Sequence, residues 1–341
     1  MSTWYEKEGA KSGIVLSTRV RLARNYTKYP FPNRMTDQQR QSLLDETAAC
    51  MTAAAGGQEF TLRDLTKADP AEARSLMEQH LISPELAAGN GPRGVILSRE
   101  EDLAVMVGEE DHLRIQAMGA GLCLDECLKR AMQADDLLES VGSYAFSDRM
   151  GYLTQCPTNL GTGLRASVML HLPALTAQGY MRGVINAAGK MGFAVRGIYG
   201  EGSRFVGDLY QFSNQATLGL SEEEIVRRLE KAVDGFLEKE EELRAQLKND
   251  DGFLDRVWRA AGLLASARSI SSEEAMSALS LVREGAACGV LPNVTMSELN
   301  RLLVAVQPAT LNLAEGGRLD ETQRDKKRAD LLRSVMGKVL R

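Results

Sequence analysis

The sequence of 341 residues has no long apolar run and no excess of positive charge. No stretch approaches the roughly 20 apolar residues that a membrane-spanning helix needs. The first fifteen residues include Glu6, Lys7, Glu8 and Lys11 and lack the apolar segment of a signal peptide. A formal net charge of −5 and a pI near 5.5 disfavour general binding to nucleic acids or anionic membranes. We therefore expect a cytoplasmic protein without a membrane segment, in which any phosphate binding is local.

Cysteine is also scarce. Five cysteines form an odd and scattered set in a chain long enough to bury a full core, so we expect free thiols in a reducing compartment. Cys123 and Cys127 are one helical turn apart, but no third or fourth ligand lies nearby, and we predict no metal site. Internal repeats and low-complexity tracts are absent. The length favours either two comparable domains or a large domain with a smaller one.

The most informative stretch is residues 156–169. From Leu164 onward every second residue is apolar, which is typical of a strand with one buried face, so Arg165 should project from the other face. Just before this strand, Cys156, a proline and two glycines form a loop whose backbone can approach a ligand closely. The stretch therefore combines a guanidinium on a sheet with a thiol in a loop.

Five arginines lie on four strand-like segments and alternate there with apolar residues. They are Arg19, Arg21, Arg114, Arg165 and Arg196. Each alone is typical of a solvent-exposed strand face. If the segments share one sheet, however, the guanidinium groups converge on one surface, where their fixed charge and bidentate donors suit a polyphosphate.

Two carboxylates accompany these arginines. Glu110 belongs to an acidic cluster before the strand of Arg114 and should share its face, and Glu201 lies between two glycines in the turn after the strand of Arg196. A P-loop is missing, because residues 183–191 have one residue too many and a methionine where Ser or Thr would bind magnesium, and no His-Arg-Asp catalytic loop occurs. Arginines with bound Mg²⁺ can provide the positioning and charge neutralisation that phosphoryl transfer needs without a P-loop lysine.

Helices fill most of the remaining sequence. His80 ends one of them, where a histidine is more often a partner of the helix dipole than a ligand. Residues 249–252 (NDDG) form the clearest boundary, so we predict domains at 1–248 and 249–341, the second a small helical bundle. The predicted helices span 36–55, 70–80, 121–140, 179–188, 221–248, 253–268 and 320–340, with further starts at Ser271 and Thr295.

Four motifs resemble, in order and spacing, the catalytic domain of the phosphagen (guanidino) kinases such as arginine and creatine kinase. They are residues 17–21 (STRVR), 109–114 (EEDHLR), 156–167 and 196–201 (RGIYGE). The resemblance implies an α+β fold with a glutamine-synthetase-like antiparallel sheet flanked by helices, and ATP with Mg²⁺ as cofactor. It assigns ATP binding to Ser17, Thr18, Arg19, Val20, Arg21, His80, Arg114, Arg165, Ala166, Ser167, Val168, Met169, Arg196, Gly197, Ile198, Tyr199 and Gly200.

Two departures narrow this resemblance. The phosphagen kinases have a helical domain before the first motif, whereas sixteen residues precede Ser17 here, so we expect a more open site. They also lack an equivalent of residues 249–341, where RDKKRA at 324–329 resembles the Arg-Asp-x-x-Arg-Ala motif of the bacterial protein-arginine kinases, the McsB family. In that family the motif belongs to an allosteric phosphoarginine pocket. The resemblance implies this role for Arg324, Asp325, Arg328 and Ala329, which would otherwise be a solvated helix face.

The resemblance also implies catalytic roles for Glu110, Glu201 and Cys156. The two carboxylates can hold a guanidinium bidentately, and one of them can accept its proton; the family favours Glu110 as the base. Cys156 would contact and orient the guanidinium as a thiolate favoured by the surrounding positive charge, the alternative being a buried structural thiol.

We therefore predict an ATP-dependent kinase of arginine side chains in proteins. The family implies marking of proteins for Clp ATPase/protease degradation, heat-shock regulation through the repressor CtsR, activation by McsA, and a homo-oligomer. Two alternatives stay open at this point. One is a kinase of a small guanidino compound, and the other is a non-catalytic phosphoarginine-binding adaptor, which would lack the paired carboxylates or the cysteine.

Overall fold

The computed structural model describes residues 3–53, 59–198 and 205–339. Ten strands occur in this part of the chain. They are β1 (Val15–Arg24), β2 (Phe60–Asp64), β3 (Gly94–Ser98), β4 (Leu103–Val107), β5 (Leu113–Ala120), β6 (Phe146–Ser147), β7 (Gly151–Tyr152), β8 (Leu164–His171), β9 (Phe193–Arg196) and β10 (Leu209–Asn214). Eight of them form one antiparallel sheet in the order β2-β3-β4-β5-β1-β8-β10-β9, and β6 pairs with β7 in a separate short ladder.

Twelve α-helices surround this sheet in the described residues. They are α1 (Asp37–Ala53), α2 (Pro70–Glu78), α3 (Pro84–Ala88), α4 (Leu124–Glu139), α5 (Pro173–Ala177), α6 (Met181–Lys190), α7 (Glu222–Leu247), α8 (Asp251–Ser266), α9 (Ser272–Ala287), α10 (Met296–Ala305), α11 (Pro308–Ala314) and α12 (Glu321–Val339). Short 3-10 turns lie at Trp4–Glu6, Pro32–Arg34 and Pro157–Asn159. The predicted α+β architecture, an antiparallel sheet flanked by helices with an all-helical C-terminal part, is confirmed.

Local sequence explains where several helices begin. The Ser221 hydroxyl accepts a hydrogen bond from the Glu224 amide at 3.2 Å, as predicted for the start of α7. Thr295 and Glu298 form a reciprocal capping box at the start of α10. Such caps satisfy amides that have no partner inside the helix, so these starts were predictable from sequence.

One face of the sheet is the main hydrophobic core. Val20, Ile115, Ala166 and Val168 are fully buried there, packed under α4 and α7. These residues alternate along adjacent strands with the arginines, whose side chains therefore project from the other face.

The second face is covered in two separate places. Over β3, β4 and β5 lies a cluster that includes Trp4, Leu81 and Leu86, from the N-terminal turn and the region of α2 and α3. Over the other end, Met169 and Leu209 pack against the C-terminal helices α8, α9, α10 and α12. The middle of this face, where the arginines lie, is left open as a cleft.

The sequence did not predict two strands of the large sheet or three short helices. They are β2, β10, α3, α5 and α11. β10 carries a period-2 signal, since Tyr210 and Phe212 are buried in the main core while Gln211 and Ser213 project from the other face. β2 is an edge strand whose residues Thr61–Asp64 are exposed, which removes the alternation of buried and exposed residues that identifies strands. Between α7 and α8, residues 248–250 interrupt the helices at the predicted domain boundary, and the division into two domains remains a prediction.

In the described part of the chain, no helix combines the length and the apolar character needed to cross a membrane.

Candidate active site

The register of five adjacent strands brings the predicted arginines onto one face. Arg21 on β1 lies directly opposite Arg165 on β8, and Arg19 lies opposite Ser167. On the other side of β1, Arg21 pairs with Gln116, two residues after Arg114 on β5. β10 connects Arg196 of β9 to the group, because Gln211 is paired with both Arg196 and Met169. Opposed side chains on antiparallel strands have Cβ atoms only about 5 Å apart, so the guanidinium groups form one cluster.

The positive charges of this cluster repel one another at Arg19 and Arg21. Burial, together with Arg165 and Arg114, lowers the pKa of Arg19 to about 10. Burial and the same neighbouring cations hold the pKa of Arg21 well below its usual range, with partial relief from Glu109. Arg19 donates to the Gln211 side-chain oxygen at 2.8 Å, but Arg21 has no hydrogen bond or ion pair with any described residue. Arg21 therefore has donors that no described residue accepts, and it lies among other positive charges.

An acidic turn borders the cluster. The Arg114 guanidinium lies 2.7 Å from the Glu109 carboxylate, which is fully buried and also accepts from the Ser83 hydroxyl, and 3.5 Å from the Glu110 carboxylate. Glu110 is about one-third exposed. Burial, with Asp111, Glu109 and Glu85 nearby, raises the pKa of the Glu110 carboxyl, whereas Arg114 opposes the shift. A carboxylate with a raised pKa at the edge of a cleft is a candidate general base.

Asp111 connects this turn to the cysteine loop. One of its carboxylate oxygens accepts from the Asn25 side chain at 2.6 Å and from the Gln155 amide at 2.8 Å. Gln155 directly precedes Cys156, so the loop is held next to Glu110. The Cys156 thiol is partly exposed and lies 3.0 Å from the Thr158 hydroxyl.

All five arginines, Glu110 and Cys156 line one cleft of about 720 Å³. Several lining residues were not predicted from the sequence. Gln211 shares the face of the arginines by strand parity, and a search for that parity would have found it. Helices outside the sheet contribute three more lining residues, namely Arg40 of α1, Ser83 at the start of α3 and Glu85 within α3. No spacing pattern in the sequence links these residues to the arginines on the strands.

His80 also lines the cleft, just beyond the end of α2. Its backbone is left-handed with φ of 62°, and its carbonyl accepts from the Gln116 side chain at 2.8 Å. Burial and nearby Arg19 lower its pKa to about 3, so the ring is neutral and is not a cationic partner of the helix dipole.

A smaller, mostly apolar pocket adjoins the cleft and shares Arg19, His80, Ile198 and Gln211 with it. From the predicted set, Ser17, Ser167 and Met169 line this pocket. Four residues of the C-terminal region, Asn300, Leu303, Val304 and Gln307, form part of its wall.

Other predicted residues lie elsewhere. Thr18, Val20, Ala166 and Val168 point to the opposite face of the sheet, so their side chains cannot reach an anion among the arginines. Gly197 is buried next to Ile198. Tyr199, Gly200 and Glu201 lie outside the described residues. Cys123 and Cys127 have sulfurs 3.8 Å apart, and no third metal-binding side chain joins them in the described ranges.

The C-terminal motif lies on α12. Arg328 is 1% exposed and donates to the carbonyls of Val306 and Ile270, each at 2.8 Å, and to Asp325 at 2.5 Å. Ala329 is fully buried in the C-terminal core. Arg324 is partly exposed and donates to the Leu319 carbonyl at 2.9 Å. The guanidinium of Arg328 is thus already engaged by protein oxygens.

Comparison with known proteins adds independent information. Residues 34–243 match the model of the ATP:guanido phosphotransferase C-terminal catalytic domain, and residues 250–340 match that of the protein-arginine kinase McsB C-terminal domain. A protein-arginine kinase of Moorella thermoacetica is 43% identical over 340 residues, covering 98% of this chain and 97% of the relative. One from Symbiobacterium thermophilum is 44% identical over 344 residues, covering 98% and 96%. The chain belongs to the protein-arginine kinase family.

This member of the protein-arginine kinase family has the same fold as solved phosphagen kinases. Lombricine kinase superposes with a TM-score of 0.60 at 27% identity, covering 69% of this chain and 68% of that one. The duplicated taurocyamine kinase of Schistosoma mansoni, solved with transition-state analogue components, superposes with a TM-score of 0.61 at 29% identity. That match covers 76% of this chain and 38% of the kinase. The family uses ATP, generally with Mg²⁺.

Proposed function

We propose that this chain transfers the γ-phosphoryl group of ATP to arginine side chains of proteins. The observation that carries the proposal is the cleft itself, in which five arginines on adjacent strands face Glu110 and Cys156. An anion among the arginines would offset the repulsion that Arg19 and Arg21 experience, and a guanidinium would give the partly exposed Glu110 carboxylate a further partner.

The arginine cluster suits the triphosphate. A polyphosphate would supply the acceptors that Arg21 lacks and would relieve the repulsion that lowers the pKa of Arg19 and Arg21. The adjoining apolar pocket begins at Arg19 and His80, so the base of the nucleotide would lie toward it while the phosphates lie on the sheet.

The described residues include no group of three or more His, Cys, Asp or Glu side chains that could hold a metal ion. We propose that Mg²⁺ is carried on the phosphates of ATP, with waters or a single protein acid completing its octahedron. When bound, the ion neutralises part of the phosphate charge.

The acceptor arginine must lose a proton. A guanidinium with a pKa of about 12.5–13.8 is almost never neutral at pH 7, and deprotonation before the reaction would cost roughly 8 kcal/mol. Glu110 would hold the guanidinium, orient one nitrogen in line with the γ-phosphorus and accept the proton as the N–P bond forms. Its raised pKa makes it a stronger base than an ordinary glutamate. Glu201 as the second carboxylate and Cys156 as an orienting thiolate complete the proposed acceptor site.

The finer cellular roles rest on family membership alone. We propose that phosphorylated proteins are passed to a Clp ATPase/protease, that CtsR is among the substrates, that McsA activates the enzyme, and that chains self-associate in the cytoplasm. The motif at 324–329 would bind phosphoarginine as an allosteric signal.

A small-guanidino kinase is the second candidate, favoured by the fold shared with lombricine and taurocyamine kinases. Identity to those structures is 27–29%, whereas identity to the protein-arginine kinases is 43–44% over nearly the whole chain. Protein substrates are therefore the better proposal. The presence of Glu110, Glu201 and Cys156 disfavours a non-catalytic adaptor.

The test is transfer from γ-labelled MgATP to free arginine or to reduced and alkylated lysozyme, analysed without acid because N–P bonds are acid-labile. We expect label on the protein, sensitive to acid and located on arginine by mass spectrometry. Label on free arginine alone would support the small-molecule kinase. No label on either acceptor would contradict both kinase proposals.

A further inference from the structure

A buried chain of hydrogen bonds joins the C-terminal helices to the catalytic sheet. Arg244 of α7 lies 3.3 Å from Nδ1 of His171, whose Nε2 lies 2.9 Å from the Ser280 hydroxyl of α9. The Ser280 hydroxyl in turn donates to the Asp208 carboxylate at 2.6 Å. His171, Arg244 and Ser280 are all at least nine-tenths buried.

The direction of each hydrogen bond follows from the chemistry of the groups. Ser280 has one proton and uses it toward the Asp208 carboxylate, so it must accept the proton on Nε2 of His171. Nδ1 is then the acceptor and faces the Arg244 guanidinium. Burial together with Arg244 and Arg283 holds the pKa of His171 well below its usual range, so the ring is neutral, as this arrangement requires.

The two ends of this chain lie at the ends of the site strands. His171 is the last residue of β8, which carries Arg165, and Asp208 directly precedes β10, which carries Gln211. His171 pairs with Leu209, and the Leu172 amide donates to the Asp208 carbonyl at 2.9 Å. Along the sequence, Asp208 is seven residues after Glu201.

Asp208 also adopts a strained backbone. Its φ of 55° lies in the left-handed region, which is unfavourable for a residue with a side chain and persists only where surrounding contacts hold it. The hydrogen bond from Ser280 is such a contact, and it comes from a helix that does not line the cleft.

We propose that Ser280 is a positioning residue, through which α9 holds Asp208 and His171 and thereby sets the relative positions of β8 and β10 at the nucleotide arginines. This deepens the proposed function and rests on it. Helix α9, none of whose residues lines the cleft or the adjoining pocket, would thus set the rate of phosphoryl transfer without touching either substrate.

The test compares Ser280→Ala with Ser277→Ala. Both serines lie on α9, but the exposed Ser277 hydroxyl donates only to the Glu273 carbonyl of its own helix at 3.0 Å. We expect Ser280→Ala to lower kcat/KM for ATP about tenfold at a temperature where both variants are folded, and Ser277→Ala to match the parent. Asp208→Ala should lower it to a similar extent, and adding Ser280→Ala to Asp208→Ala should cause little further loss.

Amide hydrogen exchange supplies a readout that does not need activity. We expect faster exchange in Leu209–Asn214 for Ser280→Ala than for Ser277→Ala. Equal turnover in the two variants, or equal exchange, would overturn the positioning role. A parent protein that transfers no phosphoryl group would instead refute the proposed function, while the exchange comparison would still test the anchoring of β10.

Discussion

Arg21 and Arg328 belong to the two regions that the sequence predicts to bind phosphate, but the two guanidinium groups have opposite surroundings. Arg21 lines an open cleft, faces other cations and has no hydrogen bond or ion pair with a described residue. Arg328 is buried and donates to two carbonyls and a carboxylate. An arginine with spare donors is available to a ligand, whereas one with engaged donors holds neighbouring segments together.

Arg24 shows that this difference is not a property of the strand. It lies on β1 with Arg21 but is fully buried, and it donates to both oxygens of Asp135 and to the carbonyls of Ala23 and Thr162. Substitutions in the cleft should therefore change activity more than stability, and substitutions of Arg24 or Arg328 should do the reverse.

The largest effect should come from Glu110→Gln, which removes the proposed base and leaves the fold intact. We expect transfer to fall by about 10²–10⁴ with an unchanged melting temperature. In the parent, kcat/KM should fall as pH drops through the raised pKa of Glu110, because only the ionised form accepts a proton. Exposed Glu139 on α4 provides the matched Glu139→Gln control. Normal turnover in folded Glu110→Gln would rule out this residue as the base.

Arg24→Met and Arg328→Met should be the most destabilising changes. Arg24→Met leaves the buried Asp135 carboxylate unpaired, and removing one partner of a buried ion pair costs about 3–5 kcal/mol. Arg328→Met leaves the carbonyls of Val306 and Ile270 without a donor, at a cost of about 1–3 kcal/mol for each buried group. Denaturant unfolding of both variants measures this loss. If Arg328→Met unfolded at the same denaturant concentration as the parent, Arg328 would not stabilise the fold in the way that its hydrogen bonds predict.

Arg21→Met should weaken ligand binding and stabilise the nucleotide-free fold, the opposite of the effect expected for Arg24→Met and Arg328→Met. Loss of a charge-assisted, bidentate phosphate contact should weaken ATP binding about 10²-fold, and loss of a repelling cation should raise the melting temperature of the nucleotide-free protein. Calorimetric titration with MgATP and thermal unfolding measure the two effects. Unchanged ATP affinity would remove Arg21 from the nucleotide site.

A fourth prediction concerns pH and the C-terminal region. Burial raises the pKa of Glu284 to about 7, with Glu240 and Asp208 adding to the shift and Arg244 and Arg256 opposing it. The folded-state pKa of Glu284 exceeds the ordinary value of about 4.5, so the folded protein binds this proton more tightly than the unfolded chain does. The resulting stabilisation of the folded state is fully present below pH 4.5 and is lost as pH rises through 7.

Glu284→Gln should abolish that loss. The free energy of unfolding of the parent should fall by about 3 kcal/mol between pH 4.5 and 8 relative to the variant. Urea unfolding across this pH range provides the measurement. Parallel curves for the parent and Glu284→Gln would show that Glu284 does not titrate in this way.

The smallest effect should follow oxidation or alkylation of Cys156. The thiol is partly exposed in the cleft, so we expect mild oxidants to inhibit transfer by about tenfold and Cys156→Ser to be insensitive. Because Cys123 and Cys127 lie close together, the experiment should use a parent with both replaced by serine. Full activity after alkylation of Cys156 would favour a structural thiol.

Much of the fold was predictable because its signals are local. The alternation in β1 and β8 predicts both strands and the face that Arg19, Arg21 and Arg165 share. Cap residues predict the starts of α7, α9 and α10. β2 was not predicted because an exposed edge strand lacks a buried face. The cleft residues on α1 and α3 were not predicted because no periodicity links distant segments of sequence.

By itself, the sequence determined which residue types alternate along each strand, where helices begin, and which family the chain resembles, since these depend on neighbours within a few positions. Only the tertiary structure decided that Arg21 has no hydrogen bond to a described residue while buried oxygens hold Arg24 and Arg328, and that Ser280 reaches Asp208 across 72 positions. The availability of a guanidinium depends on which oxygens the fold brings within about 3 Å of it, and packing between distant segments sets those distances.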